Sequence, residues 1–487
     1  MHGDFARITF DPSQGFTRVL AQQGRMLLEA ELNEQTALHI HYLRKVIVDT
    51  IGPCWRAGDG FALAAGDSVN EFAIAAGRLY VDGILCELNA NVTYGTQPFW
   101  PVPGIAPDAP VELPAIFLAY IEVHERHLSP VQMPALREIA LGGRDTASRA
   151  QVAWQIRILT QDQVTAVPKQ FAKLAEIRKA HPGPFVYRDG KLSDFVKALE
   201  DSARQLADVF SAGAPDQKAC AGAKRFFDTW EQIGPLMRAR ARFDARNLDP
   251  CAIPADGQFR SRENQLYRVE IHKGGMAGEA TFKWSRENGS VEFALSSVKT
   301  AQGGTITAMI DTLGRDRRTG LCEGDWVELT SDGFEFAEMA PPLGQITGID
   351  RARRMVTLKV TTGAGIDFSA CTLLRRWDQS LETAPDLGED GAIPVRESSE
   401  GRWTPLERGV QVQFVPGGYY RTGDFWLIPA RVETNDILWP QSTAGKPAAL
   451  RPLGVERHRG VLGFGIKEQA QVTFTNCICT ITPQCNR

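Results

Sequence analysis

The sequence predicts a mainly β protein with α insertions (α+β): several small antiparallel β modules, barrel-like or sandwich-like, an N-terminal helix and a central helical insert. Three observations lead there. The chain of 487 residues carries 45 Gly and 28 Pro, which favours many short strands and turns over long helices. Most of the chain alternates apolar and polar residues with period two. Helical spacing is confined to one N-terminal and one central stretch. At 43% hydrophobic and 23% charged, the composition is that of an ordinary globular protein. A formal net charge of −4 argues against a general nucleic-acid binder, which carries a strong basic excess.

The elements follow in order. The chain is polar and turn-rich up to Gly15. From Leu28 the positions Leu28, Leu32, Gln35, His39, Tyr42, Leu43, Val46 and Ile47 recur at helical spacing, and Gly52-Pro53 stops the run. The result is one amphipathic helix with a polar break at Gln35. Its apolar face, Leu28, Leu32, Tyr42, Leu43 and Val46, is a candidate docking element. His39 and His41 are two residues apart, point to different sides of a helix and cannot share a metal.

From Gly60 the period becomes two. Arg78 to Val81, then Asp82-Gly83, then Ile84 to Glu87 is a hairpin pattern, because Asp-Gly supplies the positive φ values of a type I′ turn. Prolines crowd 98–114, a loop. Ala115 to His124 and Gln151 to Thr160 are strands. Residues 1–165 therefore form a helix-plus-β domain. Residues 166–246 form a helical insert, and its stretch 169–246 holds 15 Lys and Arg against 10 Asp and Glu. A solvated helix face accounts for that excess. Residues 247–380 form a β-rich domain with an expected hairpin over 280–295, turning at Asn288-Gly289. Residues 381–487 form a C-terminal β-rich domain. Strands are also expected over 324–329, 354–360 and 410–414.

No apolar run suits a signal peptide, since Asp4, Arg7, Asp11 and Arg18 interrupt the start. Ala115 to Val123 is too short to span a bilayer. A cytoplasmic protein without a membrane span is expected. Of nine cysteines only Cys477, Cys479 and Cys485 cluster. A single Cys-x-Cys in an alternating run reads as strand residues rather than a zinc knuckle, so the thiols are expected to be buried and reduced.

A search for chemistry finds no nucleophile elbow, phosphate loop, dinucleotide fingerprint or zinc-protease helix in its proper context. His124-Glu125-Arg126-His127 lacks the spacing of a zincin. No catalytic, cofactor-binding or metal-binding residues are expected, and no cofactor. Tyr420, Arg421, Asp424, Trp426 and Trp439 are a candidate ligand or partner surface, since flat aromatic faces with a few polar groups build sugar sites. The bland alternative is a Gly-Asp turn entering a buried strand.

Several runs together resemble an uncharacterised bacterial family whose members carry an N-terminal domain of unknown function. They are Gln22 to Gln35, Arg137 to Thr146, Arg262 to His272, the Phe282–Val291 region, Leu321 to Glu328 and Tyr420 to Arg431. The resemblance covers about 1–165 and 240–460. Such members occur with baseplate and tail proteins of phage-tail-like contractile injection systems. The resemblance therefore implies a non-enzymatic assembly component whose partners are other tail or baseplate proteins, and a homo-oligomer. Where many members read Gly-Leu-Glu-Asn, this chain has Ser261-Arg262-Glu263-Asn264. Where they end in Gly-Ile-Glu-His-His, it has Gly454-Val455-Glu456-Arg457-His458, which weakens any metal role there. A second reading from the residues is a protein of the tail tip that binds or cleaves a surface glycan, resting on Tyr420, Trp426 and Trp439.

Overall fold

A computed structural model describes the chain except residues 107–108, 181–191, 231–233, 243–258, 301–303, 362–365, 400, 444, 470 and 483–487. The expected boundary at 246/247, Cys251 and Cys485 lie outside the described residues. The chain forms two compact units, each assembled from three stretches. One comprises Met1–Arg7, His127–Ala150 and Gly234–Val455, the other Ile8–Arg126, Gln151–Ile233 and Glu456–Arg487. The architecture is mostly β, as the patterning predicts.

The first unit contains a closed barrel of six antiparallel strands: Glu292–Thr300, Thr305–Ile310, Trp326–Thr330, Leu343–Asp350, Met355–Val360 and Leu373–Trp377. Phe293, Ile306, Ala308, Val327, Leu329, Ile346, Val356, Leu358 and Leu374 fill its interior. Closure removes the exposed edges that a short open sheet would offer. The same unit holds a five-stranded sheet in the order Ile393–Pro394, Thr281–Ser285, Gln265–Lys273, Phe425–Arg431 and Asp436–Ile437. A three-stranded sheet shares its core, with Phe282 and Phe414 ring centroids 5.1 Å apart and Phe414 and Trp426 5.9 Å apart.

Two expectations are corrected here. Asn288 and Gly289 do turn with positive φ, 49° and 64°. They do not close a hairpin. The strand Thr281–Ser285 pairs with Gln265–Lys273 and Ile393–Pro394, whereas Glu292–Thr300 pairs inside the barrel. The Asn288 side chain is buried and donates to the carbonyls of Met1 and Gly3, and its Oδ1 accepts from Arg268. The turn thus carries the chain from the sheet into the barrel. The second correction concerns Met237–Ala241. It lies within the expected helical insert but is a strand, paired antiparallel with Val410–Phe414. Met237, Ala239 and Ala241 face the core, while Arg238 and Arg240 reach Gln413 and Gln411 on the other face.

Among its described residues the second unit is a β structure with four α-helices. Its sheets run Val472–Asn476, His458–Lys467, Ile116–Leu128, Arg149–Leu159; Cys479–Ile481, Cys54–Ala57, Gly77–Val81, Ile84–Leu88; and Leu63–Ala65, Phe72–Ile74, Val92–Thr93. The expected Asp82-Gly83 hairpin is present, with Val81 opposite Ile84. The helices are α1 (Glu29–Thr50), α2 (Gln161–Ala180), α3 (Leu192–Ala212) and α4 (Gln217–Trp230). Tyr120 meets Phe227 of α4 at 4.7 Å and Phe464 meets Phe210 of α3 at 6.0 Å, seating α3 and α4 on the first of these sheets. Cys220 of α4 and Cys477 form a disulfide, their Cα atoms 5.3 Å apart. This corrects the expectation of reduced thiols for these two, because folding brings together cysteines 257 residues apart. Among the described residues Cys54, Cys86, Cys322, Cys371 and Cys479 are free. No helix among them is long and apolar enough to cross a membrane.

Candidate functional site

α1 starts well and ends cleanly. The Glu31 carboxylate accepts from the Leu28 N–H at 3.0 Å, the backward half of a capping box. Glu29 and Glu31 sit where the helix dipole favours negative charge. Ala30 and Leu38 are its buried side chains. The helix lies against the Asp82–Gly83 turn so closely that a Cβ on Gly83 would meet the Arg44 Cα and carbonyl oxygen at 2.7 Å. Arg44 pairs with Glu125 at 2.9 Å, tying the helix to the strand Ile116–Leu128. The arm before α1 is fastened alongside it. Thr9 Oγ1 donates to the Ala30 carbonyl, the Val19 N–H donates to Gln35 Oε1 at 2.8 Å, and the Phe10 ring meets His41.

With the arm in place, Leu28, Leu32, Tyr42, Leu43 and Val46 remain 39–72% exposed. At 100° per residue they fall within an arc of about 100°. Ala30 lies on the other side of the helix, and Leu38 borders the arc one turn before Tyr42. Phe16, Leu20, Met26 and Leu27 of the arm are exposed as well. Single exposed apolar side chains need no explanation, but a contiguous run of them marks an interaction surface.

The first unit carries a second exposed apolar feature that sequence reasoning quoted as a motif without placing. Two 3-10 turns, Pro134–Leu136 and Ile139–Leu141, precede Gly142 and Gly143, both left-handed. A β-bridge between Glu138 and Arg144 closes the base, and the Glu138 side chain caps the second turn. Ile139, 88% exposed, and Leu141 stand at the tip. The signal in the sequence was two large apolar residues in a short segment that ends in Gly-Gly.

The aromatic candidates do not form a surface. Tyr420, Trp426 and Trp439 are buried in the sandwich core, and Asp424 is buried too. Tyr420 donates to Glu397 at 3.0 Å, and the Trp426 and Trp439 indole N–H groups donate to the Leu450 and Ala448 carbonyls. Arg421 alone of the five is part-exposed, in the turn between Tyr419–Tyr420 and Phe425–Arg431. The bland alternative is the one observed, and these rings supply no stacking platform for a sugar.

The most conspicuous buried charges are structural. In the first unit Lys283 bridges Glu328 and Glu270, the latter at 3.2 Å. Arg268 holds Glu270 at 2.5 Å, Arg375 holds Glu292 at 3.0 Å, and the Trp377 indole donates to Glu328 at 2.8 Å. Burial alone would raise the Glu270 carboxyl, but Arg268 and Lys283 outweigh it and hold it well below the usual range. In the second unit Arg157 and Arg459 both reach the buried Glu122, at 2.8 and 2.7 Å.

His127 and His272 are held neutral. Burial, helped by neighbouring cations, pushes His127 and His272 down to about 3. Unfolding releases them to their ordinary value near 6.5, so the unfolded chain binds more protons below it. Stability of the first unit is expected to be full above about pH 6.5 and to fall as pH drops towards 3. Urea titrations across that window should show His272→Gln with a shallower loss than the parent, and equal slopes would refute the assignment. His458 behaves oppositely. Burial opposes its charge, but the hydrogen bond that its Nδ1 donates to the Asp82 carboxylate at 2.8 Å prevails and raises it. Among the described residues no group of three or more His, Cys, Asp or Glu is placed to hold a metal.

Comparison with known proteins gives a family and little else. A family model described as "Family of unknown function (DUF6519)" matches residues 1–487. No curated protein matches the sequence. Among solved structures, a chain of the type VI secretion TssK-TssF-TssG baseplate subcomplex is similar over 49% of this chain and 91% of its own, at 11% identity and TM-score 0.16. A crystal structure of TssK is similar over 82% and 98%, at 8% identity and TM-score 0.15. Superpositions this poor carry no argument about fold or function.

Proposed function

The chain belongs to this family of unknown function, DUF6519, and we propose that it is a non-enzymatic assembly component of a phage-tail-like contractile injection particle, associated with the baseplate or tail and assembled in the cytoplasm. The observation that carries this reading is the apolar surface left open on α1 and its arm. A chain with well-filled cores in both units has no folding reason to leave that run in water. Assembly partners supply one. The motif resemblance to a family found beside baseplate and tail genes supports the kind of particle. The buried ion pairs support a structural reading of the carboxylates, since each sits against a cation rather than lining an open cleft.

The test is co-purification of the full chain with the tail and baseplate proteins encoded beside it. Capture is expected, and it should fall when Leu32 or Ile139 is replaced by Asp while the thermal midpoint stays within the range of ordinary surface substitutions, about ±0.5 kcal/mol. A clean monomer with no tail partner would sink the reading.

A further inference from the structure

The open face of α1 has a finer pattern than simple amphipathicity. Leu28, Leu32, Gln35, His39, Tyr42 and Val46 follow at intervals of four, three, four, three and four residues. That is the 3.5-residue repeat of a coiled-coil seam; the buried Ala30 lies on the far side of the helix, and the buried Leu38 borders the seam one turn before Tyr42. The 22-residue helix is about 33 Å long, and the seam from Leu28 to Val46 spans about five turns of it.

The seam is also palindromic. About a centre at Ala37, Leu28 corresponds to Val46, Leu32 to Tyr42 and Gln35 to His39. Its ends are apolar and its middle polar, where Gln35 Nε2 lies 2.8 Å from His39 Nε2. Charge is distributed the other way. Glu29, Glu31 and Glu34 lie in the first half, and Arg44 and Lys45, with Asp49 near the end, in the second. Arg44 is taken by Glu125, which leaves Lys45, exposed on the same flank of the seam as Glu31.

We propose that α1 pairs with α1 of a second copy of this chain, antiparallel, across a two-fold axis at Ala37. The inference rests on reading α1 as an assembly surface and names its partner. In this arrangement the apolar ends of each seam cover the apolar ends of the other. The Gln35–His39 pairs meet at the centre, where a slip by one heptad would set polar groups on leucine, so the polar layer fixes the register. Lys45 of each copy comes within two residues, about 3 Å, of the level of Glu31 on the facing flank of the other, and the helix dipoles oppose. A parallel pair has the same apolar contacts but sets the acidic halves together and the basic halves together. Because a two-fold contact uses the same patch on both copies, it closes and leaves no seam for a third.

The experiment is sedimentation of the full chain over a concentration series, with three variants. The parent should dimerise. Leu32→Glu and Tyr42→Glu, at positions already exposed, should weaken dimerisation at least about tenfold, equivalent to about 1.4 kcal/mol. Lys45→Glu should weaken it less, and most at low salt. Orientation is read by crosslinking under a mild oxidant. A mixture of Leu28→Cys and Val46→Cys chains should give a covalent heterodimer, and Leu28→Cys alone should give none beyond the parent's background. A parent that stays monomeric, a dimer indifferent to Leu32→Glu, or crosslinking by Leu28→Cys alone overturns the proposal. A monomeric chain that captures a tail protein through α1 also overturns it, while leaving the assembly reading standing.

Discussion

Glu328→Ala is expected to cost the first unit about 3–5 kcal/mol, the range for removing one partner of a buried ion pair. The reason is what stays behind. Glu328 is 4% exposed, and Lys283, 2% exposed, lies against it. Arg375 is 3.8 Å from its second oxygen, and the Trp377 indole N–H donates to it. Alanine leaves an ammonium and an indole N–H buried beside an absent acceptor, with only Glu270 to share between Lys283 and Arg268. The network has three cations, Arg268, Lys283 and Arg375, and three carboxylates, Glu270, Glu292 and Glu328. Removing a neutral pair is therefore much milder than removing one member. Lys283→Met with Glu328→Gln keeps an acceptor for Trp377 and leaves the Arg268–Glu270 and Arg375–Glu292 pairs balanced. The double variant should be destabilised by less than the sum of its singles, with a coupling of about 1–3 kcal/mol. Urea unfolding followed by tryptophan fluorescence measures all five proteins: the parent, Glu328→Ala, the two singles and the double variant. A Glu328→Ala cost under about 1 kcal/mol, or strict additivity, would show that the pair is solvated and incidental.

This network also marks where reading the sequence stopped. Period two puts Phe282 and Trp284 on one face of their strand and Lys283 on the other. Alternation does not say what covers the polar face. Here the barrel strand carrying Glu328 lies over Lys283, so all of Phe282, Lys283, Trp284 and Ser285 are buried. Local signals were read well where the turn residue and the strand period agree, as at Asp82-Gly83. They misled at Asn288-Gly289, where the backbone turns as the dipeptide demands but the buried Asn side chain serves carbonyls from the chain start. Met237–Ala241 was legible and was overlooked. Its apolar–Arg alternation has period two inside a stretch otherwise rich in helix formers.

What no local pattern carries is the return of distant segments. Cys479–Ile481 adds to Cys54–Ala57 in parallel, and His458–Lys467 pairs with Ile116–Leu128. Each unit is thus sewn from three stretches, and strand period is the same whether the partner is ten residues away or four hundred. The helix α1 is the opposite case: its spacing, its first turn and its Gly52-Pro53 stop are all local, so the helix and its apolar face are legible from spacing. The aromatic candidates failed for a related reason. Spacing puts Tyr420 and Trp426 beside a Gly-Asp turn but does not distinguish a ring over solvent from a ring over a second sheet.

The same long-range sewing makes the disulfide the second large effect. Cys220–Cys477 closes a loop of 257 residues, and chain-entropy arithmetic gives about 5 kcal/mol for a loop of that length, with measured losses of about 2–5 kcal/mol. Replacing both cysteines by Ala, or reducing the parent under native conditions, should lower the stability of the second unit by that amount and leave the first unit unchanged. The loss should not be evenly spread. α4 keeps its own seat through Ala223, Phe226 and Phe227, all buried, and through Tyr120 against Phe227. Hydrogen exchange should therefore quicken first around Val472–Asn476 and Cys479–Ile481, which the bridge anchors to α4, with less change at Ile116–Leu128 in the middle of its sheet. Native mass spectrometry with thiol labelling reads the bond directly. Under denaturing conditions Cys220 and Cys477 should stay unlabelled before reduction, and the peptides freed on reduction should contain both. Equal unfolding midpoints for parent and double variant would mean that the packing of α4 on the sheet, rather than the covalent bond, joins the two segments.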